Sequence, residues 1–275
     1  MIAAFVFCLT GCSSSAAKSD QHSSAGQLSG KLVLTGSSTV APLVMEIGKR
    51  FESLHPQVRI DVQTGGSTRG IADARSGLAD VGMCSRALRR EERDLTERLL
   101  ARDGICVIVH KTNPAAALTS EQIQAIYRGE ISNWNQVGGT DAEICVISKA
   151  EGRSTLELFL RHFDLAIDEI QPDVIIGDNA EGVHAVAGNP AAIGYVSLGA
   201  AAFDAEQGTA IKLLPLGGVA PSAENVHNGS YPFSRKLNLL VRGEPVGLAK
   251  AFLDFAASSQ VHDLVTRLHY VPLAE

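Results

Sequence analysis

The sequence predicts an α/β fold of two discontinuous lobes joined by a two-strand hinge. Three observations lead there. From Lys31 onward, short β-branched runs alternate with longer segments of helical periodicity, the pattern of a mainly parallel sheet covered by helices. The 275 residues, 45% hydrophobic and 20% charged, have ordinary globular composition and suffice for one large core or two modest ones. Two punctuated stretches, Lys111-Thr112-Asn113-Pro114 and Gly194-Tyr195-Val196-Ser197, read as two crossings of one hinge. They assign residues 31–110 and 198–275 to lobe I and 111–197 to lobe II. Such an arrangement leaves a cleft between lobes, a favoured place for a small ligand.

Taken in order, the first element is an export segment. Residues 1–11 are apolar up to Leu9-Thr10-Gly11-Cys12, beyond which the chain turns polar and Ser-rich. A bilayer-spanning helix needs about 20 apolar residues, which this run lacks. Small residues before Cys12 match a lipoprotein signal site, which makes Cys12 the lipidated residue of an envelope protein touching the membrane only through its anchor. A trimmed secretory signal or a buried amino-terminal strand is the plainer alternative. Residues 12–30 carry Ser, Ala, Gln and Gly without hydrophobic periodicity, the composition of a flexible tether.

Strands are expected at Lys31–Leu34, Val58–Val62, Asp80–Met83, Ile105–His110, Ile144–Ser148, Val174–Gly177, Ile193–Val196, Ile211–Leu214 and Leu237–Val241. The first helix shows its buried stripe in Leu43, Ile47 and Phe51, with Pro42 in the first turn. Further helices are expected over Thr68–Ser76, Arg89–Ala101, Ser120–Tyr127, Thr155–Phe163, Ala180–Ala187, Pro245–Ala257 and Gln260–Leu268.

Composition and motifs remove several function classes. A net charge of -6 with no long basic run argues against nucleic-acid binding, which needs a concentrated basic face. No Gly-x4-Gly-Lys-Ser/Thr loop is present, Gly152-Arg153-Ser154-Thr155-Leu156 lacks the second glycine of a nucleophile elbow, and the histidines show no metal spacing. Asp164, Asp168, Glu169 and Asp173 read as a solvated face. No catalytic residue, cofactor or metal is therefore expected. Beyond the export segment three cysteines remain, Cys84, Cys106 and Cys145, and an odd count does not make a disulfide framework.

One local grammar occurs three times: a strand ends in Gly, Ser and Thr, and a helix begins at once. The stretches are Leu34-Thr35-Gly36-Ser37-Ser38-Thr39-Val40, Val62-Gln63-Thr64-Gly65-Gly66-Ser67-Thr68-Arg69-Gly70 and Ser148-Lys149-Ala150-Glu151-Gly152-Arg153-Ser154-Thr155. Each offers first-turn N–H groups, hydroxyl donors and the positive end of a helix dipole. Any one alone is usually an N-cap, worth about 1 kcal/mol. Three at the carboxyl edge of one sheet can converge on a tetrahedral oxyanion, whose charged oxygens strengthen every hydrogen bond they accept.

At these loops the chain resembles the phosphate-binding lipoproteins and periplasmic proteins that serve phosphate-specific ABC importers, a branch of the type II solute-binding fold. The resemblance runs from about Lys31 to the carboxyl terminus. It is carried also by Gly36-Ser37-Ser38-Thr39-Val40-Ala41-Pro42-Leu43, Ala79-Asp80-Val81-Gly82-Met83-Cys84-Ser85-Arg86, the Leu118–Ile123 and Ile131–Trp134 segments, and Ala192-Ile193-Gly194-Tyr195-Val196. It implies a two-lobe type II periplasmic binding fold, phosphate as ligand, ABC permease subunits as partners and a monomeric receptor. It places Ser38, Thr39, Ser67 and Thr68 at the anion.

The chain departs from that family at two places. Where well-studied members carry an Asp that accepts a hydrogen bond from protonated phosphate, this chain has Ser85 followed by Arg86. Where they carry Arg and then Gly-Ser-Gly-Thr, it has Lys149 and then Gly152-Arg153-Ser154-Thr155. Arg153 has two readings, a forked contact to the anion or a solvent-facing first-turn residue. Arg86 likewise has two, a ligand contact or an ion pair across the cleft. Sulfate, molybdate or a phosphonate is the nearest rival to phosphate, and a tethered envelope sensor or scaffold the rival to transport.

Overall fold

The computed structural model describes residues 28–273. The signal segment, Cys12 and nearly all of the expected tether lie outside the described residues. The tether stops short of its expected end: Leu28 packs against the core, and Gly30 opens the first strand.

Strand β1 (Gly30–Gly36) is followed by α1 (Ala41–Leu54), β2 (Val58–Thr64), α2 (Ser67–Ser76) and β3 (Val81–Cys84). β1 lies between β2 and β3 and runs parallel to both. Their carboxyl ends therefore share one edge, and the loops leaving them stand side by side. Helix α1 buries the stripe Leu43, Val44, Ile47 and Phe51 as its spacing predicts. Gly36 ends β1 at φ 130°, and a Cβ there would lie 2.3 Å from the Met83 carbonyl, so only glycine lets β1 and β3 close up at this point.

The helix expected over Arg89–Ala101 does not form. A 3-10 turn at Arg90–Glu92 leads instead into β4 (Leu95–His110), a strand of 16 residues. Its charged first half contains good helix formers, but Leu95, Leu100 and Ala101 are buried by antiparallel pairing with β9 (Ser234–Arg242). Tertiary pairing overrides local propensity there.

Between β4 and β9 come α3 (Ser120–Tyr127), β5 (Cys145–Lys149), α4 (Ser154–His162), β6 (Val174–Ile176), α5 (Asn179–Ala187), β7 (Ala192–Ser197), α6 (Leu198–Glu206), β8 (Ile211–Leu213) and α7 (Ala223–His227). α8 (Gly247–Ala256) and α9 (His262–Arg267) follow β9. Helices α6 and α7 were not expected: α6, Leu-Gly-Ala-Ala-Ala-Phe-Asp-Ala-Glu, is too rich in alanine to show an apolar stripe.

The strands form one continuous sheet in the order β2-β1-β3-β9-β4-β7-β5-β6, with β8 on β4. It is mixed rather than mainly parallel. β1/β2, β1/β3, β5/β6 and β5/β7 are parallel, whereas β3/β9, β4/β9, β4/β7 and β4/β8 are antiparallel, because β4 and β9 run against their neighbours.

Two main cores divide this sheet. One gathers Leu32–Ala101 with Leu237–Tyr270; the other gathers Ile105–Phe233, with Val271 added. The chain passes between them at Gly104/Ile105 and at Phe233/Ser234. These crossings are adjacent: Gly104 pairs with Ser234, and the Ile105 N–H donates to the Phe233 carbonyl at 2.9 Å. Packing thus groups 198–233 with the middle of the chain, whereas the expected partition gave it to lobe I. Leu198, Ala201, Ile211 and Val226 are buried in the core that holds the second half of β4. Lobe I and lobe II below refer to these two packed bodies.

Among the described residues, no helix is long and apolar enough to cross a membrane. Cys84, Cys106 and Cys145 are free.

Candidate functional site

The three Gly/Ser/Thr loops do converge. They line a small polar cavity between the lobes, bounded by Ser37, Ser38, Thr39, Gly66, Ser67 and Ser85 from lobe I and by Lys149, Arg153, Ser154, Thr155 and Gly177 from lobe II. The titratable side chains on this wall, Lys149 and Arg153, are both basic. A larger groove beside it shares Ser38 but is bounded mainly by groups such as Ala41, Pro42, Met45, Phe203 and Leu268, and offers few donors.

Side-chain caps are not universal among the described helices: α8 and α9 start without one. Helices α3, α5, α6 and α7 are each capped by a side-chain oxygen, from Thr119, Asp178, Ser197 and Ser222. Helices α1, α2 and α4, which follow the three loops, have no side-chain cap. Their hydroxyls are turned to the cavity instead, and the first-turn N–H groups behind them lack intrahelical partners.

The hydroxyls form a chain across the cleft. Ser37 Oγ donates to Ser85 Oγ at 2.9 Å, Ser67 Oγ donates to Ser154 Oγ at 3.0 Å, and the Ser85 and Ser154 hydroxyls stand 2.6 Å apart. The Ser85 N–H donates to Ser67 Oγ at 3.1 Å. Gly66 brings the lobes together: at φ 94°, its Cβ position would lie 2.7 Å from the Gly152 carbonyl.

Lys149 closes the end of β5, where its N–H reaches Tyr195 Oη at 3.3 Å and Tyr195 stacks on Phe159 with ring centres 3.8 Å apart. Its ammonium is buried and donates to the Asp178 carbonyl at 2.9 Å. Desolvation, reinforced by the charge of Arg235, lowers its pKa to about 7. Arg153 also faces the cavity, and its Nη1 is buried with no hydrogen-bond partner among the described residues. Of its two sequence readings, the solvent-facing one fails.

Two expected site residues stand elsewhere. Thr68 is exposed, and only its backbone reaches across, the N–H donating to the Gly152 carbonyl at 3.3 Å. Arg86 is spent on carboxylates: Nη1 and Nη2 donate to Glu92 at 2.6 and 2.8 Å, and Nε lies 3.0 Å from Glu157 Oε2. Glu157 belongs to α4, so the cross-cleft ion pair is the reading that holds. Its pKa is raised, first by the Glu92 hydrogen bond.

Four participants escaped the sequence reading. Ser37 adjoins residues already singled out. Asn179 donates to Thr39 Oγ1 at 3.0 Å, and Arg235 on β9 donates to Thr39 Oγ1 at 3.1 Å and to Thr155 Oγ1 at 2.9 Å. Asp103 holds Arg235 in turn. Arg235 and Asp103 sit on strands with no nearby motif; the one available signal was a charged residue beside a run of buried ones.

Residues 20–260 match the family model of the PBP superfamily domain. The chain belongs to the PBP superfamily. Within it, similarity is to PstS proteins, in line with the resemblance read from the motifs. The phosphate-binding protein PstS of Bacillus subtilis (strain 168) is 29% identical over 287 residues, covering 100% of this chain and 93% of the relative. Among solved structures, a putative phosphate ABC transporter substrate-binding protein with bound phosphate from Clostridium perfringens superimposes with a TM-score of 0.83 at 32% identity, over 89% of this chain and 100% of that one. An ABC-type phosphate transport receptor from Vibrio cholerae gives a TM-score of 0.71 at 28% identity, over 88% and 100%. This PBP-superfamily chain therefore has the two-lobe type II binding fold that its motifs predicted.

Proposed function

We propose that this chain binds inorganic phosphate in the interlobe cavity and delivers it to an ABC importer as a monomeric extracytoplasmic receptor anchored through Cys12. The observation that carries the reading is the cavity wall: hydroxyls and first-turn N–H groups from three uncapped helices, with Lys149 and the unpartnered Arg153 Nη1. A buried guanidinium nitrogen without an acceptor costs free energy that an oxyanion recovers. The similarity to phosphate-binding relatives supports the choice of anion.

Ser38, Thr39, Ser67, Ser85, Lys149, Arg153, Ser154 and Thr155 are the proposed ligand set. Binding and release need no covalent chemistry, only a hinge motion at the β4/β9 crossing whose equilibrium shifts by the ligand's preference for the closed state. Calorimetric titration with phosphate tests the reading, with Thr39→Ala/Ser67→Ala as the site control. An unchanged affinity in that double variant contradicts the assignment.

A second reading keeps the site and widens the ligand. Among the described residues no carboxylate lines the cavity, so it lacks a charged acceptor to favour a protonated anion over sulfate or molybdate. Competition between phosphate and sulfate decides between the two.

A further inference from the structure

We infer that Arg235 is a positioning residue that fixes the hydroxyls of Thr39 and Thr155, one from each lobe, as hydrogen-bond donors to the bound oxyanion. The inference rests on the oxyanion reading of the cavity and adds a residue that does not itself line it.

A hydroxyl has one proton to give and two lone pairs to accept with. Thr39 Oγ1 accepts from Asn179 Nδ2 at 3.0 Å and from Arg235 Nη2 at 3.1 Å, which occupies both lone pairs. Only donation is left to it. Thr155 Oγ1 accepts from Arg235 Nη1 at 2.9 Å and is biased the same way. Both threonines face the cavity.

The donors behind them cannot reverse. A guanidinium has no acceptor. Asn179 is held by its other end, since its Oδ1 accepts the Ser197 N–H at 3.3 Å, leaving Nδ2 toward Thr39. Arg235 is locked by Asp103 Oδ2, 3.0 Å from Nε and 2.8 Å from Nη2. The Thr39 carbonyl is pinned by Tyr270 Oη at 2.8 Å. A hydroxyl polarised by a cationic donor is also the stronger donor onward. One guanidinium thereby spans both lobes and aligns a donor on each side of the cleft.

The test is a double-mutant cycle on oxyanion affinity. Calorimetry with phosphate, sulfate and molybdate selects the tightest ligand of the wild-type protein, and the cycle uses Arg235→Lys, the pair Thr39→Val/Thr155→Val, and all three substitutions together. A lysine can meet Asp103 but cannot reach two hydroxyls at once. Arg235→Lys and the threonine pair variant are each expected to weaken binding about tenfold or more, and the combination to be within about twofold of the poorer of the two, because Arg235 acts through both threonines.

Losses that multiply, or an Arg235→Lys variant that binds like wild type, overturn the inference. A merely structural role would lower the melting temperature and give multiplying losses. Should Arg235→Lys fail to fold, Asn179→Ala serves instead: it weakens binding in the wild-type background and has no further effect on Thr39→Val, and an equal effect in both backgrounds overturns the inference. If none of the three anions binds the wild-type protein, the oxyanion reading itself falls.

Discussion

Arg235 and Asp103 meet with two guanidinium nitrogens on one carboxylate oxygen, both side chains almost wholly out of solvent. The other Asp103 oxygen accepts the Gly199 N–H at 3.1 Å, and Ser197 Oγ donates to the first at 2.9 Å. Removing one partner of such a pair strands a charge in a low-dielectric interior. Asp103→Ala is expected to cost about 3–5 kcal/mol in urea denaturation, and Asp103→Ala/Arg235→Met less than Asp103→Ala alone. A single-variant cost near zero would show that the pair is not what satisfies the buried guanidinium.

Lys149 links binding to protons. Burial, then the charge of Arg235, brings its pKa from the ordinary 10.5 to about 7. Between those values the unfolded chain carries a proton on Lys149 that the folded chain has shed, so this residue makes stability rise with pH across that window. An anion beside Nζ favours the ammonium again. Phosphate binding at pH 8.5 is therefore expected to take up protons, read from calorimetry in buffers of different ionisation heat. In Lys149→Arg, which stays charged, the uptake should vanish; uptake that persists there rules Lys149 out as its source.

The position of Ser85 offers a test of anion choice. Its hydroxyl lies 2.9 Å from Ser37 Oγ and 2.6 Å from Ser154 Oγ, and it can donate or accept as the ligand requires. Sulfate should then compete with phosphate to a measurable degree. Ser85→Asp adds a carboxylate that repels an unprotonated anion but accepts a hydrogen bond from a protonated phosphate oxygen. It should lower sulfate affinity at least about tenfold more than phosphate affinity in competition titrations. Equal losses for both anions would place the discriminating contact elsewhere.

Gly66 sets how far the lobes approach. A methyl group there meets the Gly152 carbonyl at 2.7 Å, and φ of 94° adds backbone strain. Gly66→Ala is expected to raise the phosphate Kd about tenfold by disfavouring the closed state, with only about 1 kcal/mol lost from folding stability. Solution scattering should show a smaller contraction on adding phosphate than in the wild-type protein. Full contraction at unchanged affinity would exclude this contact as the stop.

Much of the lobe I sheet and the position of the site were legible because they rest on local grammar. Gly36, Gly66 and the serines around them mark sharp strand-to-helix turns, and the stripe of α1 is an unbroken period. Two kinds of feature were not legible. Strand β4 looks helical through Ala101 because its partner, β9, lies far along the chain, and nothing local reports that pairing. Arg235 is invisible for the same reason: its partners Thr39, Asp103 and Thr155 come from three distant segments. Arg86 is the converse case: its neighbours left a ligand contact and an ion pair both open, and adjacency to Ser85 could not report the carboxylates of Glu92 and Glu157 that it meets.

The two hinge crossings have a consequence for how such a gene can change. Lobe II leaves its host at Ile105 and returns at Phe233, and those residues are hydrogen-bonded neighbours. Paired antiparallel strands stand about 5 Å apart, so a tight turn spans the gap that excision would leave. The middle of the gene therefore behaves as a cassette with both ends at one spot. Exchanging it would swap Lys149, Arg153, Ser154 and Thr155 as a set, and so retune the ligand, while the hinge and the opposite wall pass unaltered from one receptor to the next.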